Sequence, residues 1–199
     1  MITRRKLNAS QKGFSLIEVM IAAVVVTVAL VALLGTLGVA LAASQTAQQD
    51  MIARQLASEA MESVYAARNT SQLSFAQINN VSNGGIFMDG FQSAMCSGPD
   101  GIVGTADDSS CLTPSGSVCP SGGAKCMTEA GPDGVLGTSD DIIQSLSNFT
   151  RQIQITQLLD TSGNQISTLR SVTITIQYNV PQSSFPKNYA ITEYVSSYH

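Results

Sequence analysis

Glu18 is the only ionisable side chain between Phe14 and Ala43, a stretch that otherwise reads Leu16, Ile17, Val19, Met20, Ile21, Ala22, Ala23, Val24 and onward. At the centre of a bilayer helix a charge costs about 2.5–3.5 kcal/mol, and less near the helix end, so a carboxylate kept in such a run has a task. Its neighbours suggest one. Gly13 follows Lys12 and precedes Phe14; a residue without a side chain can be drawn extended into a peptidase cleft whose walls a bulky residue would meet. Cleavage between Gly13 and Phe14 would leave an α-amino cation on Phe14, one helical turn from the Glu18 carboxylate, and the two charges can neutralise each other at the membrane edge. The competing reading of Glu18 is an interfacial carboxylate that snorkels to water.

A second group of reactive side chains lies mid-chain. Gly98-Pro99-Asp100-Gly101-Ile102-Val103-Gly104-Thr105-Ala106-Asp107-Asp108 recurs as Gly131-Pro132-Asp133-Gly134-Val135-Leu136-Gly137-Thr138-Ser139-Asp140-Asp141. Each copy joins an Asp-Gly turn to a pair of acids across two apolar residues that can anchor the loop. Carboxylates and free carbonyls suit Ca²⁺, which makes Asp100, Asp107 and Asp108, with Asp133, Asp140 and Asp141, the candidate calcium ligands. The pattern is not that of an EF-hand, and each copy alone offers few ligands, so two solvated Asp-Gly turns are the competing reading.

Cys96, Cys111, Cys119 and Cys126 share this region, Cys96 and Cys111 bracketing the first copy. Four cysteines allow three pairings, between which the sequence does not choose. In an oxidising compartment two disulfides would staple these loops, and Cys96 with Cys111 and Cys119 with Cys126 is the favoured arrangement. Zinc is the runner-up, without a Cys-x-x-Cys pair and with His199 as the single histidine.

The formal net charge of −4 and a pI near 4.8 give no overall positive field, and Arg54, Arg68, Lys125, Arg151, Arg170 and Lys187 are scattered, so nucleic-acid binding is not expected. Catalysis is not expected either. A terminal His199 supplies no convincing base for a nucleophile, the glycine-rich copies carry aspartates in place of a phosphate-binding lysine, and adjacent acids such as Asp107 and Asp108 are turn or metal residues more often than a catalytic dyad.

These residues need elements to hold them. Thirty helical residues from Phe14 to Ala43 would span about 45 Å, more than a hydrocarbon core of about 30 Å. Arg4, Arg5, Lys6 and Lys12 precede the run without an acid, and the first acid after Glu18 is Asp50, a bias that puts the N-terminus in the cytoplasm. A secretory signal peptide is the competing reading, with Ala40-Leu41-Ala42 before Ala43 as its cleavage site, but its apolar core would be about 7–15 residues long. Past Ala43 the chain turns polar without a helix breaker. Ile52, Leu56, Ala60 and Val64 fall four apart, flanked by Ala53, Ala57 and Met61, with Arg54, Glu59 and Glu62 on other faces. One helix from Phe14 to about Arg68 is expected, containing Gly35 and Gly38 at about 1 kcal/mol each relative to Ala.

Towards the C-terminus the period becomes two. Ile153, Ile155 and Gln157 alternate with Gln152, Gln154 and Thr156, and Val172, Ile174, Ile176, Tyr178 and Val180 alternate with Ser171, Thr173, Thr175 and Gln177. Asp160-Thr161-Ser162-Gly163-Asn164 between them predicts an antiparallel hairpin, and a third strand is expected from Tyr189 to Val195. The fold class is α+β, a long N-terminal membrane and stalk helix on a small antiparallel β-sheet with a loop-rich insertion. Its expected parts are a basic leader over 1–13, a membrane helix over 14–43 and a head over 44–199. Within the head the helix extends to about 68, the loop-rich region covers about 79–147, and the sheet covers about 148–198.

Lys12-Gly13-Phe14-Ser15-Leu16-Ile17-Glu18-Val19-Met20-Ile21-Ala22 resembles the class III signal of type IV prepilins and of the pseudopilins of type II secretion. The resemblance implies that a membrane aspartyl peptidase cuts after Gly13, that Phe14 is methylated, and that the leader stays cytoplasmic. It also implies that Glu18 pairs with the amino terminus of a neighbouring subunit during assembly and so sets the axial stagger, and that the head is pilin-like. Many major pilins carry a proline within this helix, and this chain has none there. Ala57-Ser58-Glu59-Ala60-Met61-Glu62-Ser63 looks like the post-helix region of the minor-pilin family PilV, the type IV pilus modification protein, and of its secretion relative GspI. The resulting expectation is a structural minor pilin involved in type IV pilus assembly or modification. The alternatives are a minor pseudopilin of type II secretion and a surface adhesion module. Implied partners are the prepilin peptidase, other pilin or pseudopilin subunits and an inner-membrane assembly platform. The implied location is the bacterial inner membrane, with a single pass, a cytoplasmic N-terminus and a periplasmic head, and then the pilus at the cell surface.

Overall fold

The computed structural model describes residues 13–180 and 183–198; the basic leader residues Arg4, Arg5, Lys6 and Lys12, and His199, lie outside them. Helix α1 runs from Leu16 to Asn69, and the chain divides into two compact units, Met1–Ser44 and Gln45–His199. In the first unit the large apolar side chains of α1, from Leu16 to Leu41, are exposed around the whole circumference. A helix apolar on all faces is built for hydrocarbon or for partner helices. The hydroxyls of Thr27 and Thr36 donate back to the carbonyls of Val24 and Leu33, each at 2.8 Å, so neither is left bare in that medium.

In the second unit α1 presents the stripe read from its spacing: Ile52, Ala53, Leu56, Ala57, Ala60, Met61 and Val64 are all buried. The strands are β1 (Gln92–Ser93), β2 (Cys126–Glu129), β3 (Ile142–Ser145), β4 (Phe149–Leu159), β5 (Gln165–Tyr178) and β6 (Lys187–Ser196). They form a four-stranded antiparallel sheet in the order β1-β4-β5-β6 and a two-stranded one, β2-β3. The architecture is the expected α+β one, a long N-terminal helix packed on antiparallel sheet. Ile153, Ile155, Val172, Ile174, Ile176 and Tyr178 enter one core with the helix stripe, while the intervening threonines and glutamines are less buried, as period two requires. Asp160 closes the β4-β5 turn by accepting from the backbone N–H groups of Ser162 and Asn164, each at 2.8 Å, with Gly163 at φ 82°. Gln157 keeps the register of Ile153 and Ile155, opposite Arg170, but is exposed; the register shifts only beyond it, between Gln157 and Leu159.

Helix and sheet are also joined by polar contacts. Asp50 on α1 accepts from the Tyr178 hydroxyl at 2.6 Å and from Lys187 Nζ at 2.6 Å, and the Tyr65 hydroxyl donates to the Tyr194 carbonyl at 3.1 Å. On the other side of β4, β1 pairs only with Thr150 and Arg151. Further along, the buried Asn80 side chain stands in for a strand, donating to the Ile153 carbonyl and accepting from Ile155 N, each at 2.8 Å.

The stretch expected as loop-rich holds β1, the β2-β3 hairpin and a 3₁₀ turn at Val81–Asn83, so it is more ordered than its composition suggests. Two disulfides fasten it, Cys96–Cys111 with Cα atoms 5.1 Å apart and Cys119–Cys126 at 5.8 Å.

Candidate processing and assembly site

Gly13, Phe14 and Ser15 precede the helix, and the Ser15 carbonyl accepts its first bonds, from Glu18 N at 3.0 Å and Val19 N at 3.2 Å. Glu18 therefore stands in the first turn of α1. Unpaired N–H groups there carry the positive end of the helix dipole, which favours a carboxylate. Phe14 is 83% exposed, and a Cβ placed on Gly13 would meet nothing within 4 Å. The Gly13-Phe14 bond is exposed and unencumbered, and the helix follows closely at Leu16. Were the chain cut there, the new amino group and the Glu18 carboxylate would stand about one turn apart on a segment that carries no other ionisable side chain up to Ala43.

The two acidic loops fold alike. Asp100 Oδ1 accepts from Ile102 N, and Asp133 Oδ1 from Val135 N, each at 2.8 Å. Gly98 and Gly131 are required by close approach: a Cβ on either would lie 2.2 or 2.3 Å from the carbonyl oxygen of Asp107 or Asp140. Thr105 Oγ1 lies 2.6 Å from Asp107 Oδ1 and 3.4 Å from oxygens of both Asp100 and Asp108, so one hydroxyl proton faces three carboxylates. That hydroxyl holds the Asp107 carboxyl below the usual range, and Thr138 does the same for Asp140. Asp108 is different. Burial pushes its carboxyl up, against the Gly104 N–H and the Arg151 guanidinium, which lies 3.1 Å away. As a calcium set the loops offer at most two free carboxylates each. Among the described residues no three His, Cys, Asp or Glu side chains are placed to hold a metal ion together.

Arg151 is the residue that a reading by composition passes over. It sits on the core side of β4 between Phe149 and Ile153, 2% exposed; burial pulls its pKa down, and the fields of Asp108 and Glu59 oppose that. The inward–outward alternation of β4 already assigns position 151 to the core face, which is the signal that could have found it. Lys125, another of the scattered cations, pairs with Glu59 on α1.

Residues 8–34 match the family model described as the prokaryotic N-terminal methylation motif. The match covers Gly13, Phe14, Glu18 and the apolar run as far as Leu34, and it supports a type IV pilin or pseudopilin subunit made as a precursor. No curated protein and no solved structure matches the chain.

Proposed function

We propose that this chain is the precursor of a minor pilin, a non-catalytic subunit cut between Gly13 and Phe14, methylated on Phe14 and built into a type IV pilus through α1. One coincidence carries the reading: a matched methylation motif over residues 8–34 runs into an unbroken helix that starts at Leu16, with exposed apolar side chains all round and Glu18 in its first turn. In hydrocarbon a lone carboxylate calls for a counter-charge, and the amino group of an incoming subunit supplies one. The α1 segments would pack side by side as the filament core, with the head, residues 44–199, passing from the periplasmic side of the inner membrane to the filament surface. A minor pseudopilin of type II secretion shares every one of these motifs, the Ala57–Ser63 resemblance included, and neighbouring genes for one machine or the other would distinguish them. Intact mass and N-terminal sequencing of the protein from native membranes test the central step. A chain beginning at Phe14 with one added methyl group is expected; a chain beginning at Ala43 would make the apolar run a signal peptide and overturn the proposal.

We also propose that each acidic loop takes one Ca²⁺, between Asp100 and Asp107 and between Asp133 and Asp140, with the threonine hydroxyl and the Ile102 or Val135 carbonyl nearby. Support comes, in the first loop, from the convergence of carboxylates on the Thr105 hydroxyl, a repulsion that a hard cation relieves; in the second the Thr138 hydroxyl meets Asp140 alone, and the support is the shared sequence and turn. Two carboxylates per site imply the weak range of extracellular modules, with dissociation constants of about 10⁻⁴–10⁻³ M.

A further inference from the structure

Two contacts set β6 alongside α1. Asp50 meets Lys187 Nζ at 2.6 Å, and the Tyr65 hydroxyl meets the Tyr194 carbonyl at 3.1 Å. Between those two levels the helix rises about 22 Å and the strand about 23 Å. Helix and strand therefore run side by side in the same direction. The β5-β6 connection follows the paired Tyr178 and Lys187, so it projects past the sheet at the end where α1 enters the head. Phe185 stands in that connection at 80% exposure, the most exposed large apolar side chain described in the second unit. Its backbone does not depend on water. Ser183 Oγ donates to the Phe185 carbonyl at 2.8 Å and accepts from Phe185 N at 3.2 Å, while Ser183 N donates to the Val180 carbonyl at 3.1 Å. Polar backbone groups that bond within their own turn can leave water at little cost. Charge is also muted at this end. Asp50 and Lys187 neutralise each other, and the groove lined by Gln45, Gln48, Gln144 and Asn148 beside Phe149 contains no ionisable side chain.

We propose that Phe185 is a lipid anchor. Its ring enters the headgroup–acyl boundary of the bilayer that residues 14–43 are read to cross, and it holds this end of the head against the leaflet before assembly. A single ring suffices because the chain is already tethered. Asp50 lies only about 10 Å of helix past Ala43, whatever the angle at which the two units meet, so the loop meets the membrane at high effective concentration. The proposal rests on the membrane-helix reading above.

The test uses the full-length chain in vesicles of phosphatidylethanolamine and phosphatidylglycerol. All four native cysteines are in disulfides, so a single introduced cysteine carries an environment-sensitive fluorophore. It is placed by Ser184→Cys, beside Phe185, by Ser162→Cys, in the exposed β4-β5 turn at the opposite end of the sheet, or by Val31→Cys, in the apolar run. Lipids spin-labelled at a shallow or a deep position serve as quenchers. The expected result is quenching by the shallow lipid at position 184 and none at 162. Phe185→Ser should abolish the quenching at 184 and leave the probe at 31 quenched by the deep lipid. No quenching at 184, equal quenching at 162, or quenching at 184 that survives Phe185→Ser would overturn the anchor. A probe at 31 untouched by the deep lipid would overturn the membrane-helix reading together with this proposal, so position 31 tells the two failures apart.

Discussion

Arg151→Met asks what the buried ion pair of the head contributes. Methionine fills much of the same space with an adaptable apolar chain, so packing is largely kept while the charge is removed. What remains is Asp108, held by the Gly104 N–H at 2.8 Å but deprived of the guanidinium 3.1 Å away. Removing one partner of a buried pair costs about 3–5 kcal/mol. The lower end applies here, because Asp108 keeps its backbone donors and because Arg151 Nη1 has no hydrogen-bond partner, a defect the substitution relieves. A loss of about 2–3 kcal/mol at pH 7 is expected. The pH dependence has a definite sign. Burial already holds the Asp108 carboxyl above its usual value, and without Arg151 it rises further. A raised carboxyl favours the folded state as it takes up a proton, so the deficit shrinks as pH falls from 7 towards the unfolded carboxylate value of about 3.9. Asp108→Asn combined with Arg151→Met should recover most of the loss, since an amide oxygen still accepts from Gly104. Urea unfolding of the full chain in detergent, followed by tyrosine near-ultraviolet circular dichroism because the chain has no tryptophan, measures the unsubstituted chain and both variants. A single-variant loss below about 1 kcal/mol, or one equal at pH 7 and pH 4.5, would refute the reasoning.

Glu18→Ala should leave cleavage after Gly13 intact, by mass of the membrane-bound protein, while removing the subunit from sheared filaments; normal incorporation would end the pairing hypothesis. Asp50 is held below the usual carboxylate range by Lys187 and then by the Tyr178 hydroxyl, so its contribution is present above about pH 4 and lost as pH falls through its folded-state value. Asp50→Asn should lower the melting temperature at pH 7 and flatten the acid limb of a melting-temperature profile. Replacing Cys96 and Cys111 by serine should cost about 3 kcal/mol and replacing Cys119 and Cys126 about 2, because the first bridge closes the longer loop, separations of 15 and 7. Calcium at about 5 mM, well above the weak range expected, should raise the melting temperature, and Asp107→Asn with Asp140→Asn should abolish the rise.

The parts legible in the sequence are those with a period. Ile52 to Val64 at helical spacing, the alternation through Ile174 and Tyr178, and the Asp160–Asn164 turn place α1, β4 and β5 because each pattern repeats often enough to exceed chance. β2 and β3 are four residues each, too short to show a period, and they pair only because the second acidic loop returns the chain on itself. The alternation through Ile153, Ile155 and Gln157 holds in register as far as Gln157, and the shift beyond it, before Leu159, is the kind of phase change that period-two reasoning does not foresee. Asn80 and Arg151 act through long-range contacts, to Ile153, Ile155 and Asp108, that no local pattern encodes. The proposal for Gly13, Phe14 and Glu18 draws on local features, a small residue, the residue after it and a carboxylate one turn further on, and the motif match over residues 8–34 includes all three.

Neither disulfide crosses from helix to sheet; both lie within the insertion between β1 and β3. What fastens the head part of α1 to the four-stranded sheet is the apolar stripe, Asp50 with Tyr178 and Lys187, and Tyr65 with the Tyr194 carbonyl, while Glu59 with Lys125 ties it to the insertion. In mechanical terms, tension drawn along the helix is carried by many weak contacts sheared together, while the covalent staples sit off the line of force. Such a joint slips under sustained load and re-forms when the load is released, with no bond to be remade by chemistry. Reduction should therefore loosen the insertion and leave the force at which helix and sheet part unchanged.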